Sequence, residues 1–267
     1  MTSLPRTELI HRRTVAADIA REAGDVALAA FCNRDSLHVQ TKGQHDWVTN
    51  VDLETEARIR ARLADAFPGE PVLGEETAPG PGARETSWIV DPIDGTTCFL
   101  LGLPQWCVVL AYAVDARPVV SAIYAPVTGE MFTAFIGGGA ELNGEPVQVS
   151  RARGPDEGLI AVGANKAGDP ARSAAFIAEL VAGGGMFTRI GACALALAYV
   201  ASGRLLAAYE PLVSPWDDLG GMLLVQEAGG RTNDFAPTLA TTPKRPVAAA
   251  TPALWPVVNP LLSPISG

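Results

Sequence analysis

Three acidic motifs stand where apolar segments break off. In "WIVDPIDGTTCFL" the apolar run Trp88, Ile89, Val90 meets Asp91, then Pro92, Ile93, Asp94 and Gly95, before Cys98, Phe99 and Leu100 resume apolar sequence. "LGEET" sets Glu75 and Glu76 behind a short apolar run, and "SPWDDLGG" sets Asp217 and Asp218 at the head of another. Carboxylates are hard oxygen ligands, and three or four of them are what Mg²⁺ accepts alongside water and phosphate. Thr96 or Thr97 could cap a helix whose free amides attract a phosphate oxyanion, and carboxylates beside that anion repel it unless cations lie between them. The chemistry in view is therefore metal-assisted handling of a phosphate group. Each motif alone also has a plainer reading: D-P-x-D-G is turn chemistry, a glutamate pair is ordinarily solvated, and an Asp opening a helix is ordinarily a cap. Convergence of the three motifs at one sheet edge would decide between the readings.

The composition bounds the partners. With 267 residues, 48% hydrophobic and 18% charged, the chain can bury a sizeable core as one large domain or two modest ones. A net charge of −9 argues against binding a nucleic-acid backbone directly. Cys32, Cys98, Cys107 and Cys193 form no C-x-x-C pair, and His11, His38 and His45 form no H-E-x-x-H, so a zinc site is not expected. The cysteines read as core or near-core residues. No apolar run has the length of a membrane span and no signal-like h-region opens the chain, which predicts a soluble cytoplasmic protein with reduced thiols and no membrane partner.

The elements that must position the carboxylates follow from periodicity. Val15, Ile19, Ala23, Val26, Ala27 and Ala30 predict an amphipathic helix from Arg13 to Phe31. A polar loop should follow, then a helix from about Asn50 to Pro68, a short strand in "PVLGEET", a surface loop "APGPGAR", and the strand Trp88 to Val90. "WCVVLAYAV", "PVVSAIYA", "EMFTAFIG" and "PVQVS" predict an antiparallel meander whose last turn holds Asn143-Gly144, a type I′ hairpin signal. Beyond it "GLIAVGAN", "MFTRIG" and "LLAAYE" read as strands, and Pro170 to Val181, Ala194 to Ser202 and Leu219 to Ala228 as helices. Helices and strands intermix around an antiparallel run, which is an α+β layered architecture.

"DWVTNVD", "GEET", "WIVDPIDGTT", "GGAELNG", "RIGACALALAYVASGR" and "PWDDLGG", in this order over nearly the whole chain, resemble the inositol monophosphatase family of lithium-sensitive, Mg²⁺-dependent phosphomonoesterases. The resemblance implies one αβαβα sandwich domain spanning 1–267, with halves of about 1–150 and 151–267, usually a homodimer, with the metal site between the halves. By resemblance Glu76, Asp91, Asp94, Asp217 and the carbonyl of Ile93 would hold two or three Mg²⁺ ions, and Gly95 and Thr96 would give amides to the phosphate. Asp52 and Thr96 would orient the attacking water, with Glu76 counted beside them among the catalytic residues. Asp94 and Asp217 would also face the substrate, Glu210 would accept a hydrogen bond from a substrate hydroxyl, and Gly191, Ala192 and Cys193 would form a turn against the polyol. Cys98 stands where the family usually has asparagine, and Cys193 where it has a small residue, so helix support and pocket shape should differ.

That reading predicts hydrolysis of inositol monophosphate or a similar small polyol phosphate. A phosphate monoester dianion repels hydroxide and leaves a poor alkoxide, so two Mg²⁺ ions would activate water and stabilise the leaving oxygen, with no covalent phosphoenzyme. Histidinol phosphate, sugar bisphosphates and 3′-phosphoadenosine nucleotides are the competing substrates. From another class of function, a protein-binding role in transcription, as some bacterial relatives have, competes with catalysis.

Overall fold

The computed structural model describes residues 4–34, 37–43, 46–77, 85–165, 168–235, 239 and 244–262, with residues 40–43 and 46–47 described by backbone alone. The predicted loop "APGPGAR" lies outside the described residues. A seven-stranded sheet is made of β3 (Val72–Gly74), β4 (Ser87–Asp94), β5 (Cys107–Val114), β6 (Arg117–Ala125), β7 (Glu130–Phe135), β8 (Gly139–Leu142) and β9 (Glu145–Val147), paired in that order. All neighbours are antiparallel except β3 and β4. A five-stranded mixed sheet has the order β11 (Met186–Thr188), β10 (Leu159–Val162), β12 (Ala207–Val213), β14 (Arg245–Ala250), β13 (Arg231–Thr232). A two-stranded hairpin, β1 (Val39–Gly43) and β2 (Asp46–Thr49), stands apart from both sheets.

Helices cover both faces of each sheet. α1 (Arg6–Cys32) and α2 (Asn50–Ala66) pack on one face of the larger sheet, while α5 (Cys193–Ala201) and α6 (Pro215–Glu227) fill the space between the sheets. α4 (Pro170–Ala182) and α7 (Trp255–Val258) cover the far side, and the short α3 (Thr96–Leu101) follows β4. The result is the layered αβαβα sandwich. Its central apolar cluster, with Val109, Ile123 and Phe132 from the larger sheet, Leu195 and Leu197 from α5, and Met222 and Leu224 from α6, ties the two sheets together. No described helix is long and apolar enough to cross a membrane.

Several elements differ from expectation for identifiable reasons. α1 starts seven residues before the predicted Arg13 because its buried stripe continues through Leu9 and Arg12. Arg12 is an invisible core residue to a hydropathy reading: its guanidinium lies over the Phe67 and Tyr112 rings, 4.6 and 4.2 Å from their centroids, and pairs with Glu70. The polar loop expected after Cys32 contains β1 and β2, and a further strand, β8, four residues long and opening on glycine, lies between the predicted strand "EMFTAFIG" and the Asn143-Gly144 turn. β13, β14 and α7 lie in a stretch to which periodicity assigned nothing; each has six residues or fewer, too short for a periodic signal. Of the four cysteines, Cys32 is exposed and only the other three are buried.

Candidate functional site

β4 does not stop at Val90. It continues to Asp94, and its pairing with β5 shifts between Asp91, opposite Val109, and Asp94, opposite Cys107. Residues three apart on a regular strand point to opposite faces; the extra residue of this bulge turns Asp91 and Asp94 to the same side. The chain then enters α3 through Gly95, at φ +94°, where a Cβ would stand 2.7 Å from the Gln105 carbonyl oxygen and 3.0 Å from Ala192 Cβ. Gly95, and not Thr96 or Thr97, is thus the N-cap.

Asp217 arrives from the other side of the molecule. α6 begins at Pro215, four residues before the predicted Leu219, so Asp217 sits in its first turn and accepts the Ser214 N–H (2.6 Å) in a capping box. One oxygen of each of Asp91, Asp94 and Asp217 lies within 4.8 Å of the others. Asp218, its neighbour, is buried elsewhere against Arg245 (2.7 Å). Asp94 also accepts the Cys193 N–H (3.0 Å) and Ala194 N–H (2.7 Å), the opening amides of α5, whose N-cap Ala192 has no side-chain acceptor. One carboxylate therefore serves both the cluster and the helix dipole of the second half.

The electrostatics fit a cation. Burial, then repulsion from Glu75, Asp94 and Asp217, holds Asp91 well above the usual carboxylate range. Burial and Asp217 push Asp94 up to about 7, and burial pushes Asp217 up to about 6, against the lowering effects of the Ser214 amide and Lys244. Three carboxylates crowded in this way carry uncompensated charge that a divalent cation would neutralise.

The glutamate beside Asp91 is Glu75, not Glu76. Glu75 lines the cavity and hydrogen-bonds Asp91, whereas Glu76 is held by its backbone N–H on Glu56 (2.8 Å). The cavity, about 250 Å³, is also lined by Asp94, Gly95, Thr96, Arg189, Gly191, Cys193, Glu210 and Asp217, while Ala192 is buried behind it. Thr96 Oγ1 stands 3.1 Å from the Ile93 carbonyl oxygen and 3.4 Å from Asp52 Oδ1. Asp52 is fully buried, and its other oxygen accepts the Thr49 N–H and hydroxyl at 2.8 and 2.5 Å. Thr49 went unnoticed in the sequence, although T-N-V-D has capping-box spacing. Arg204, close to the cavity in the sequence, turns its side chain away to pair with Glu130 (3.0 Å).

These residues come from a single scaffold with known relatives. The profile of the inositol monophosphatase family matches residues 9–264. The chain belongs to the inositol monophosphatase family. It is 38% identical over 225 residues to the Nus factor SuhB of Salmonella typhimurium, covering 83% of this chain and 84% of that protein. It is 37% identical over 224 residues to inositol monophosphatase 3 of Solanum lycopersicum, covering 81% and 83%. Among solved structures, extragenic suppressor protein suhB from Bartonella henselae superposes with a TM-score of 0.86 at 31% identity, covering 94% of this chain and 97% of that one. The Thermotoga maritima IMPase gives 0.82 at 28%, covering 94% and 98%. Both the family and the layered fold implied by the motifs are thereby established for this chain.

Glu210 gives a test of the cavity's electrostatics. Burial, opposed by Arg189, raises its carboxyl from 4.5 to about 7. Between those values the folded protein keeps a proton that the unfolded chain has lost, so rising pH destabilises the fold through this group. In chelator, Glu210→Gln should gain on the native protein by about 1.4 kcal/mol per pH unit across this window, on the order of 3 kcal/mol in all. Urea melts at pH 4.5 and pH 8 measure it; a gap that is flat with pH would place Glu210 in solvent.

Proposed function

We propose that this protein is a Mg²⁺-dependent phosphomonoesterase acting on inositol monophosphate or a similar polyol phosphate. The observation that carries the reading is the meeting of Asp91 with Asp94 and Asp217, which line one cavity together with Thr96, itself hydrogen-bonded to the buried Asp52. Asp91, Asp94, Asp217, Glu75 in place of Glu76, and the Ile93 carbonyl would hold Mg²⁺. When bound, divalent cations neutralise the phosphate, lower the pKa of water and stabilise the leaving oxygen. Thr96 Oγ1, donating to Asp52 Oδ1, keeps lone pairs free to accept a proton from the attacking water, and as it does so its own hydroxyl proton passes to Asp52 Oδ1. The Gly95 and Thr96 amides face the phosphate oxygens, and Glu210 accepts from a substrate hydroxyl while Gly191, Ala192 and Cys193 shape the polyol side.

Among described residues lining the cavity, Arg189 is the one cation, and it stands by Glu210. A substrate with a second phosphate would have to place it there, so a neutral polyol is the better fit. Phosphate release from inositol monophosphate should require Mg²⁺, cease in EDTA, be inhibited by lithium, and exceed release from 3′-phosphoadenosine 5′-phosphate. Glu210→Gln should narrow that kcat/KM ratio by the worth of one charged hydrogen bond, about 1.5–3 kcal/mol. Native preference for the nucleotide would overturn the polyol assignment.

The same reading includes self-association as a homodimer, which light scattering on the purified protein tests. A second reading, a protein-binding role in transcription, rests on relatives named Nus factors. It would gain if phosphate release proved absent from the whole monoester panel.

A further inference from the structure

α2 carries Asp52 and, one turn later on the same face, Glu56. Glu56 is fully buried, although nothing in the chemistry above uses it. Its oxygens are occupied by the segment that holds Glu75: Oε2 accepts the Glu76 N–H (2.8 Å), and Oε1 accepts the Thr77 hydroxyl and Arg60 Nε (2.7 Å). Arg60 then donates through Nη1 to the Val72 carbonyl (3.1 Å) at the start of β3. Between these anchors, Gly74 passes so close that a Cβ there would lie 2.5 Å from the Glu56 carboxylate carbon. The stretch from Val72 to Thr77 is therefore fastened before and after Glu75, both times through one ion pair on α2, buried at its Glu56 end.

A buried carboxylate is costly to desolvate, and its removal leaves its partners unpaired, so its energetic effect falls on whatever those partners position. Here that is the backbone on either side of Glu75. We propose that Glu56 is a positioning residue that holds Glu75 against Asp91 and so sets the divalent-cation affinity of the site, without touching cation or substrate. The inference rests on the reading of Glu75 as a ligand. Outer-shell groups of this kind typically change metal affinity by about 10–100-fold.

Calorimetric titration with Mg²⁺ alone, together with melting in chelator, tests it on native protein, Glu75→Gln, Glu56→Ala, Glu56→Gln and Thr77→Val. Glu75→Gln and Glu56→Ala should each weaken Mg²⁺ binding about tenfold or more. Glu56→Gln, whose carbonyl can still accept the Glu76 N–H, should recover part of that loss, and Thr77→Val should lose a few-fold with its melting temperature nearly native. If Glu75→Gln weakens binding while Glu56→Gln and Thr77→Val bind as the native protein does, Glu56 is only structural and the proposal falls, even should Glu56→Ala fail to fold. If Glu75→Gln itself binds Mg²⁺ normally, the ligand reading of Glu75 is wrong and the proposal goes with it.

Discussion

Asp91→Asn should melt at a higher temperature than the native protein in chelator and yet lose at least about 10²–10³-fold in kcat. Both effects come from the same charge. The native carboxylate is almost fully buried and faces Glu75, Asp94 and Asp217, so in the metal-free protein its ionised form destabilises the fold. With its folded pKa raised, that destabilisation is absent below the ordinary carboxylate range and grows as pH rises above it. Asparagine removes it while its amide oxygen still accepts the Ile93 N–H, which Asp91 accepts at 3.0 Å. Saturating Mg²⁺ should reverse the order of melting temperatures, because ligand binding stabilises only the protein that binds it well. Melting curves at pH 8 with EDTA and with Mg²⁺, beside turnover on inositol monophosphate, measure all three quantities. Full turnover in the variant would remove Asp91 from the catalytic machinery, and full turnover of native protein in EDTA would remove the metal from the mechanism.

Thr96→Ala and Asp52→Asn should each lower kcat by about 10²–10⁴-fold, the usual contribution of a positioned proton acceptor, with a much smaller change in KM. The Thr96 hydroxyl lies within reach of Asp52 and the Ile93 carbonyl, so it can pass a proton between water and a buried carboxylate. Alanine removes the relay. Asparagine keeps an acceptor for the Thr49 N–H, and hence the cap of α2, but is too weak a base to take up the Thr96 hydroxyl proton. Loss of the cap alone would cost about 1 kcal/mol of stability. A variant with native kcat and a raised KM would show that the pair binds substrate and does not activate water.

The sequence by itself determined the family and most of the elements. Hard-ligand carboxylates at three element junctions pointed to metal-assisted phosphate chemistry, and the motifs ordered along the chain specified the family, because side-chain type and chain order are sequence properties. Long apolar periods made the bodies of α1, α2, α4 and the β5 to β7 meander legible for the same reason. What tertiary structure decided was orientation. Choosing Glu75 over Glu76 depends on how the end of β3 is fastened to Glu56. Bringing Asp91 and Asp94 to one face depends on a bulge against β5, and no local pattern in D-P-I-D encodes the register of a partner strand. Arg12 in the core, Asp94 capping α5 and Asp218 beside Arg245 are polar groups that meet partners 58, 99 and 27 positions away. Their burial follows from that pairing, which a reading of neighbouring residues cannot supply.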